Sequence, residues 1–458
     1  MDRRSYIEKL ETWSTSSRRK PLILEGARQV GKTWLMQAFA KTHYKQVVYA
    51  QFDKDELLRN LFTKDFDVKR IVRDLQIRFN VTIDAKSTIL LLDEIQSCRK
   101  AITALKYFCE DYPELPIIAA GSLLGLTFRD DEGGDAKKSV PDETTGFPVG
   151  KVNTLAVHPF SFVEFLDAVG QGALADCVRQ NDWETIATFR ERLIDFLKHY
   201  YIVGGMPEAV DAYRCSQNFR DVREIHREIL MGYRRDMAKH APKHDVPKIE
   251  LCWSSIPAQL AKENKKFTYA GVKKGGRSAE FRDPLRWLED EGLIGRVKRV
   301  SMPSLPLDGY ADGAFKIYLL DVGLLSTMSG LAPEVVLEGP RVFSEFKGAL
   351  TEQYVYQQLR AETELVPYYY SQDDSQCEVD FLVQKGMEVC PLEVKAEENV
   401  RSQSLKSYRT KFLPTRAFRA SMKDYEVQDQ VLPDGRHCHF ANIPLVGIQG
   451  IGDHLESS

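Results

Sequence analysis

Three features of the chain predict an α/β protein of several domains, the first built on a parallel sheet. Its 458 residues exceed one core, since domains average about 150 residues. From Pro21 to about Val157, short apolar runs alternate with helical patterns, the order produced when crossover helices join parallel strands. Beyond that stretch the apolar period changes twice, first to helix alone and then to helices followed by strands.

The strand candidates of the first region are Leu22–Leu24, Val47–Ala50, Thr88–Leu92, Leu115–Ala120 and Val152–Val157. A run as apolar as Ile89 to Leu92 is what burial on both faces demands. Arg129 to Glu143 has almost no apolar content and reads as a long surface loop. From about Phe160 to Ala241 the period is helical, broken by Gly204-Gly205-Met206-Pro207, which suggests a helical lid or connector. Residues 245–320 read as helices followed by a strand pair, Gly292–Val297 and Phe315–Leu319, in the order of a winged helix. In the tail, a helix over Leu350–Leu359 precedes strands at Glu378–Gln384 and Met387–Lys395. The expected division is 1–160, 161–244, 245–325 and 326–458, without internal repeats.

Composition narrows the function classes. With 43% hydrophobic and 28% charged residues the chain has the makeup of a globular protein, which excludes wholesale disorder and fibrous repeats. The 63 Lys and Arg against 66 Asp and Glu exclude a uniformly basic coat, though a local basic patch remains open. Because no stretch of about 18 apolar residues occurs, neither secretion nor membrane spanning is expected. The eight cysteines are scattered without a CxxC pair, so reduced thiols in a cytoplasm are the simple reading. His437-Cys438-His439 is discounted as a metal site, because neighbours on a strand point to opposite faces.

Gly26-Ala27-Arg28-Gln29-Val30-Gly31-Lys32-Thr33 matches the phosphate-loop (Walker A) pattern in full, follows a strand and opens a helix at Thr33-Trp34-Leu35-Met36. The glycines let backbone N–H groups curl around a β-phosphate, and the Lys32 ammonium reaches the β- and γ-oxygens. Gly26 through Trp34 are therefore the expected ATP-binding residues, and the Thr33 hydroxyl is placed to ligate magnesium. Downstream, the strand Leu90-Leu91-Leu92 ends in Asp93-Glu94. Asp93 would hold the metal and Glu94 would orient or deprotonate the attacking water. An Asp-Glu pair in that place also serves as a helix N-cap. Ser122, after the next strand, either touches the γ-phosphate or the water or is a simple turn serine.

Together with Gly146-Phe147-Pro148-Val149-Gly150-Lys151, His158–Phe165 and Gly204–Glu208, these residues resemble a family of prokaryotic AAA-type ATP-binding proteins, over nearly the whole chain. The resemblance implies an AAA-type P-loop NTPase core, ATP binding and hydrolysis, and a C-terminal domain similar to the PD-(D/E)XK nuclease fold. It implies no substrate. Many members of that family carry Gly-Arg where this chain has Gly150-Lys151, so the resemblance supplies no arginine finger there; Arg28 and Arg129 are candidates for one by proximity alone, and surface arginines would read the same.

Between Lys262 and Val300 eleven basic residues face six acidic ones, a local balance of +5. Positive charge on a helix (Ser278 to Glu291) and wing is the footprint of duplex binding. A solvated face, or a module that packs against protein, has the same composition.

The tail holds Glu378-Val379-Asp380 and Pro391-Leu392-Glu393-Val394-Lys395. With Lys385-Gly386 as a two-residue turn, Asp380 falls opposite Pro391 and Glu378 opposite Glu393. Asp380, Glu393 and Lys395 then share a face, where two acids suit a divalent metal and the lysine a metal-bound water, with Glu352 as a fourth member. The spacing looks like the PD-(D/E)XK arrangement, and a salt-bridged polar face would look the same. The reading overall is a magnesium-dependent ATPase acting on DNA through the winged helix and a nuclease-like tail. The rivals are a switch that binds a protein partner and a DNA-binding regulator without cleavage.

Overall fold

A computed structural model of the chain describes residues 5–122, 146–262, 265–338, 344–372, 377–397 and 403–456. The expected loop 129–143, with Arg129, lies outside the described residues. The chain divides into two compact units, one of Asp2–His158 with Asp290–Gly292, the other of Pro159–Glu289 with Leu293–Ser458.

In the first unit β1 (Leu22–Glu25), β2 (Gln46–Gln51), β3 (Thr88–Asp93), β4 (Ile117–Ala120) and β5 (Asn153–Ala156) form one sheet in the order β2-β3-β4-β1-β5. Every neighbouring pair is parallel. All six residues of β3 are buried, which is why its sequence is apolar up to the final acid. Leu90, Leu92, Phe52, Phe62, Leu75, Leu105 and Phe108 pack into one core between the sheet and its helices. The parallel order puts the carboxyl ends of β1, β3 and β4 along one edge, where loops can assemble a site.

The larger unit combines helices with a mixed eight-stranded sheet. Its strands are β6 (Ile294–Val300), β7 (Ala311–Leu319), β8 (Tyr368–Ser371), β9 (Glu378–Lys385), β10 (Glu388–Val394), β11 (Arg416–Ser421), β12 (Glu426–Val431) and β13 (His437–Pro444). They run β12-β13-β11-β10-β9-β8-β6-β7 across the sheet. The two strands expected as a wing are thus its edge, and Arg299 and Val300 of β6 pair in parallel with Tyr369 and Tyr370 of β8. β8, β11 and β12 have no counterpart among the expected strands, and β13 only at His437–His439: β12 is almost wholly exposed and so carries no apolar alternation.

Two devices close the helical part. Gly204 and Gly205 end the helix Arg190–Val203 before the helix Pro207–Ser216 begins. Gly205 N–H donates to the buried Asp321 carboxylate at 2.6 Å, and a Cβ on Gly205 would lie 2.0 Å from the Phe160 carbonyl oxygen. Glycine is therefore required there by close approach, which explains the break in the helical period. The helix Ser344–Glu362 supplies buried glutamines that accept from backbone ends: Gln353 from Leu319 N–H and Gln357 from Val322 N–H, at 2.8 and 2.9 Å. Satisfying such buried donors is obligatory in a dry interior. Among the described residues no helix is long and apolar enough to cross a membrane, and all eight cysteines are free thiols.

Candidate functional site

The phosphate loop connects β1 to the helix Lys32–His43, whose N-cap is Gly31. Gly26, Gln29 and Gly31 have φ of 141°, 66° and 93°, so successive N–H groups turn inward instead of extending the strand. A Cβ on Gly26 would lie 2.3 Å from the Val157 carbonyl oxygen. Ala27 and Val30 are buried beneath the loop, and Trp34 is 41% exposed.

Lys32 is almost fully buried. Its ammonium donates to the carbonyl oxygens of Gly26 and Ala27, both at 2.7 Å. Burial pushes its pKa down to about 8, opposed by the negative charges of Glu94 and Asp93. A desolvated cation held by carbonyl dipoles alone has charge to offer an anion. The Thr33 hydroxyl donates to Asp93 Oδ2 at 2.9 Å, so a hydroxyl and a carboxylate oxygen lie side by side, the hard oxygen pair that magnesium takes. The Tyr49 hydroxyl donates to the same Oδ2 at 2.6 Å, and Glu94 N–H donates to Asp93 Oδ1 at 3.1 Å. Burial first, and the bond to Asp93 second, raise the Tyr49 phenol well above its ordinary range.

Glu94 itself has φ 52°, a left-handed turn that ends β3. It does precede a short 3₁₀ turn, Ile95–Ser97, but without a side-chain cap. Its carboxylate instead accepts from Gln96 Nε2 at 2.5 Å. Gln96 Nε2 also lies 3.4 Å from Ser122 Oγ, and Arg28 Nε donates to that oxygen at 3.1 Å. Glu94, Gln96, Ser122 and Arg28 therefore form a chain of contacts that carries the end of β3 to the segment after β4 and back to the phosphate loop. Sequence reasoning missed Tyr49 and Gln96. Tyr49 sits on a different strand, and only pairing of β2 with β3 brings it to Asp93. Lys151 is ion-paired with Glu110 at 2.8 Å.

In the larger unit, the expected carboxylates assemble through a different register. Lys385 pairs with Glu388 and Pro391 with Leu382, so the turn is Gly386-Met387, with Gly386 at φ 56°. The expected pairing of Asp380 with Pro391 is corrected by two residues, and extending the observed register sets Asp380 directly beside Glu393. A slip of two keeps every side chain on its face, whereas a slip of one would have reversed it.

Lys395 Nζ lies 2.6 Å from Glu393 Oε1, and Asp380 Oδ2 accepts from Val394 N–H at 2.8 Å. Glu352 is ion-paired with Lys265 and lies 3.6 Å from Lys316 Nζ. Lys316, fully buried on β7, also meets Glu378 at 2.6 Å, and Tyr318 donates to Glu352 Oε2 at 3.2 Å. Burial pushes Glu352 up, but the two lysines outweigh it and hold the carboxyl below its usual range. Burial and the neighbouring Glu352 and Glu393 raise Asp380 well above the carboxylate range. Asp380 and Glu393 are thus brought together as expected, while among the described residues no group of three or more His, Cys, Asp or Glu side chains is placed to hold a metal. Lysines that the sequence reading did not place here, Lys265 and Lys316, offset the acids instead.

Part of the basic segment is neutralised by ion pairs. Lys273 pairs with Glu280, Arg282 with Asp283, Arg296 with Glu289, Lys298 with Asp308 and Arg299 with Asp312. The helix Ser278–Asp290 is present as expected and buries Phe281, Leu285, Trp287 and Leu288.

Comparison with known proteins assigns part of this architecture. Residues 18–166 match an AAA domain, 194–335 a domain of unknown function (DUF8612), and 347–436 another domain of unknown function (DUF4143). No curated protein matches the chain. Among solved structures, the Walker-type ATPase PABY2304 of Pyrococcus abyssi is 15% identical with a TM-score of 0.44, over 72% of this chain and 96% of that one. The ORC1 protein of Aeropyrum pernix, in complex with DNA, is 12% identical with a TM-score of 0.27, over 71% and 90%. Drosophila ORC, bound to DNA, is 14% identical with a TM-score of 0.27, over 72% and 95%. Residues 18–166 are thus an AAA-type P-loop ATPase domain, with a mixed-sheet region toward the C-terminus.

Proposed function

We propose that this protein hydrolyses ATP with magnesium, at the site formed by Gly26–Trp34, Asp93, Glu94 and Ser122. The single observation that carries the reading is the 2.9 Å approach of the Thr33 hydroxyl to Asp93 beside a buried Lys32 ammonium that bonds to backbone carbonyls. Lys32 would exchange the Gly26 and Ala27 carbonyls for phosphate oxygens, while the loop N–H groups hold the β-phosphate. Thr33 and Asp93 would hold magnesium, which when bound offsets phosphate charge. Glu94, positioned by Gln96, would orient and deprotonate the attacking water, and Ser122 would steady Gln96 and Arg28. Lys32→Ala should abolish tight ATP binding by calorimetry, and turnover at the parental rate in that variant would refute the assignment.

For the target, the +5 balance of residues 262–300 supports DNA. A second reading, an ATP-dependent switch for a protein partner with an inactive nuclease-like tail, is favoured by the ion pairing of that segment and of Glu352. We retain the division 1–160, 161–244, 245–325 and 326–458 for these roles, with the last two sharing a sheet. Turnover with and without duplex DNA separates the readings: stimulation supports DNA, and no response to duplex, single strands or RNA supports the protein partner.

A further inference from the structure

We propose that the cavity bounded by the helix Gln403–Phe412 and strands β11, β12 and β13 is a binding site for phosphate groups, held by Arg409 and Arg419 with Lys406 and Lys423. The cavity encloses about 640 Å³, and its lining carries these four cations against one acid, Glu426. The Arg419 and Arg409 guanidiniums lie over the Phe440 ring at 5.0 and 5.7 Å. Stacking on a ring fixes a guanidinium plane and leaves its N–H edges free to bond an anion. The Nε atoms of both arginines are buried and have no hydrogen-bond partner of oxygen or nitrogen among the described residues, the Cys438 thiol being the polar group beside Arg409.

The contrast with the rest of the unit makes this informative. Lys265, Lys316 and Lys395 all lie against carboxylates, whereas Arg409, Arg419, Lys406 and Lys423 make no ion pair among the described residues. Two acids act on Arg419 from further off: Glu393, its register partner on β10, and Glu426. A half-buried cation without a bonded counterion is costly, and two adjacent ones that also repel each other are costlier. An arriving anion would offset that cost.

Phosphate fits better than a single carboxylate. It carries more charge and presents several oxygens to two guanidinium forks, which bond such groups in pairs. The ring beneath them is buried, so it is closed to a stacking base and the site reads phosphate alone. The source is either a small phosphorylated ligand or the backbone of a nucleic-acid strand.

The test uses the full chain carrying Lys32→Ala, which silences the phosphate loop. Calorimetry with inorganic pyrophosphate and, separately, with a twelve-residue oligothymidylate reads the second site. We expect at least one to bind and the double variant Arg409→Gln with Arg419→Gln to lose at least tenfold in affinity. Lys406→Gln with Lys423→Gln, both exposed, should lose several-fold and keep the parental melting temperature. Saturation by pyrophosphate without competition from the oligonucleotide identifies a small ligand; tighter, salt-dependent binding of the oligonucleotide identifies a strand. Absence of binding by both probes, or affinity unchanged in the arginine and lysine variants, would overturn the site. ATP turnover with Lys32 intact should be unaffected by either pair, so the failure of this site and that of the ATP reading are separable.

Discussion

The phosphate loop and the carboxylate–lysine cluster both bury lysines beside acids, yet they leave those charges in opposite states. Among the described residues Lys32 bonds only to two backbone carbonyls, while Lys316 and Lys395 lie 2.6 Å from carboxylates. The first arrangement holds a cation ready for an anion from outside. The second pairs most of its charges internally, though Glu393 Oε2 is buried without a hydrogen-bond partner among the described residues. The lesson is that clustered acids and lysines become a candidate site only when the pairing leaves something over. By that measure the loop qualifies, and the carboxylate–lysine cluster leaves over a carboxylate oxygen of Glu393.

The largest effect should come from the end of β3. Glu94→Gln is expected to keep ATP binding and to lower turnover on the order of 10²- to 10⁴-fold, the usual worth of a positioned base. Rapid-quench hydrolysis with nucleotide-binding calorimetry reads both halves, and a parental rate would remove Glu94 from its role.

Lys316→Met tests the opposite arrangement. Removing one partner from a buried ion network leaves Glu352 and Glu378 without that lysine, which typically costs about 3–5 kcal/mol. Urea unfolding should show the loss while the first unit still binds ATP. A change well under 1 kcal/mol would mean the network is open to water and can take a ligand after all.

A third test asks whether the larger unit keeps its polar groups uncharged as well as paired. His226 is buried between the Val203 carbonyl oxygen, 3.0 Å from Nε2, and the Thr327 hydroxyl, 2.8 Å from Nδ1. Burial, with Arg223 adding to it, lowers its pKa from 6.5 to about 3. The folded form refuses a proton that the unfolded chain accepts, so its contribution is full above about pH 6.5 and is lost toward pH 3. The slope is about 1.4 kcal/mol per pH unit for one proton. The stability difference between the parent and His226→Gln should follow that slope, and a flat difference would show that the pocket admits the charged ring.

The smallest effect concerns the basic segment. Lys274→Gln with Arg277→Gln should flatten the log–log salt dependence of any duplex binding by about 0.9 per lost phosphate contact. Anisotropy across a salt series measures it, and an unchanged slope would assign these residues to a solvated face.

Much of the nucleotide site was legible because its signals are local. Five strands were placed to within about two residues from apolar runs, and Gly26–Thr33 needs only its own glycines to turn. The shared face of Asp380, Glu393 and Lys395 was legible too, since alternation survives a two-residue error in the turn. Tyr49 and Gln96 were not: one reaches Asp93 through strand pairing, the other folds back over a tight turn. Nor was the fate of the wing, because β6 pairs with β8, some seventy residues later.

By itself, then, the amino-acid order determined the phosphate loop, the acidic strand end, the parallel core and the two-residue period of β9 and β10, since each depends on neighbours in the chain and on backbone geometry. The tertiary structure alone decided which charges remain available. Glu352 meets Lys265 across 87 residues, and Arg409 and Arg419 gather over Phe440 from different elements. Charge compensation acts through space over a few ångströms, so sequence spacing carries no record of which partner will arrive.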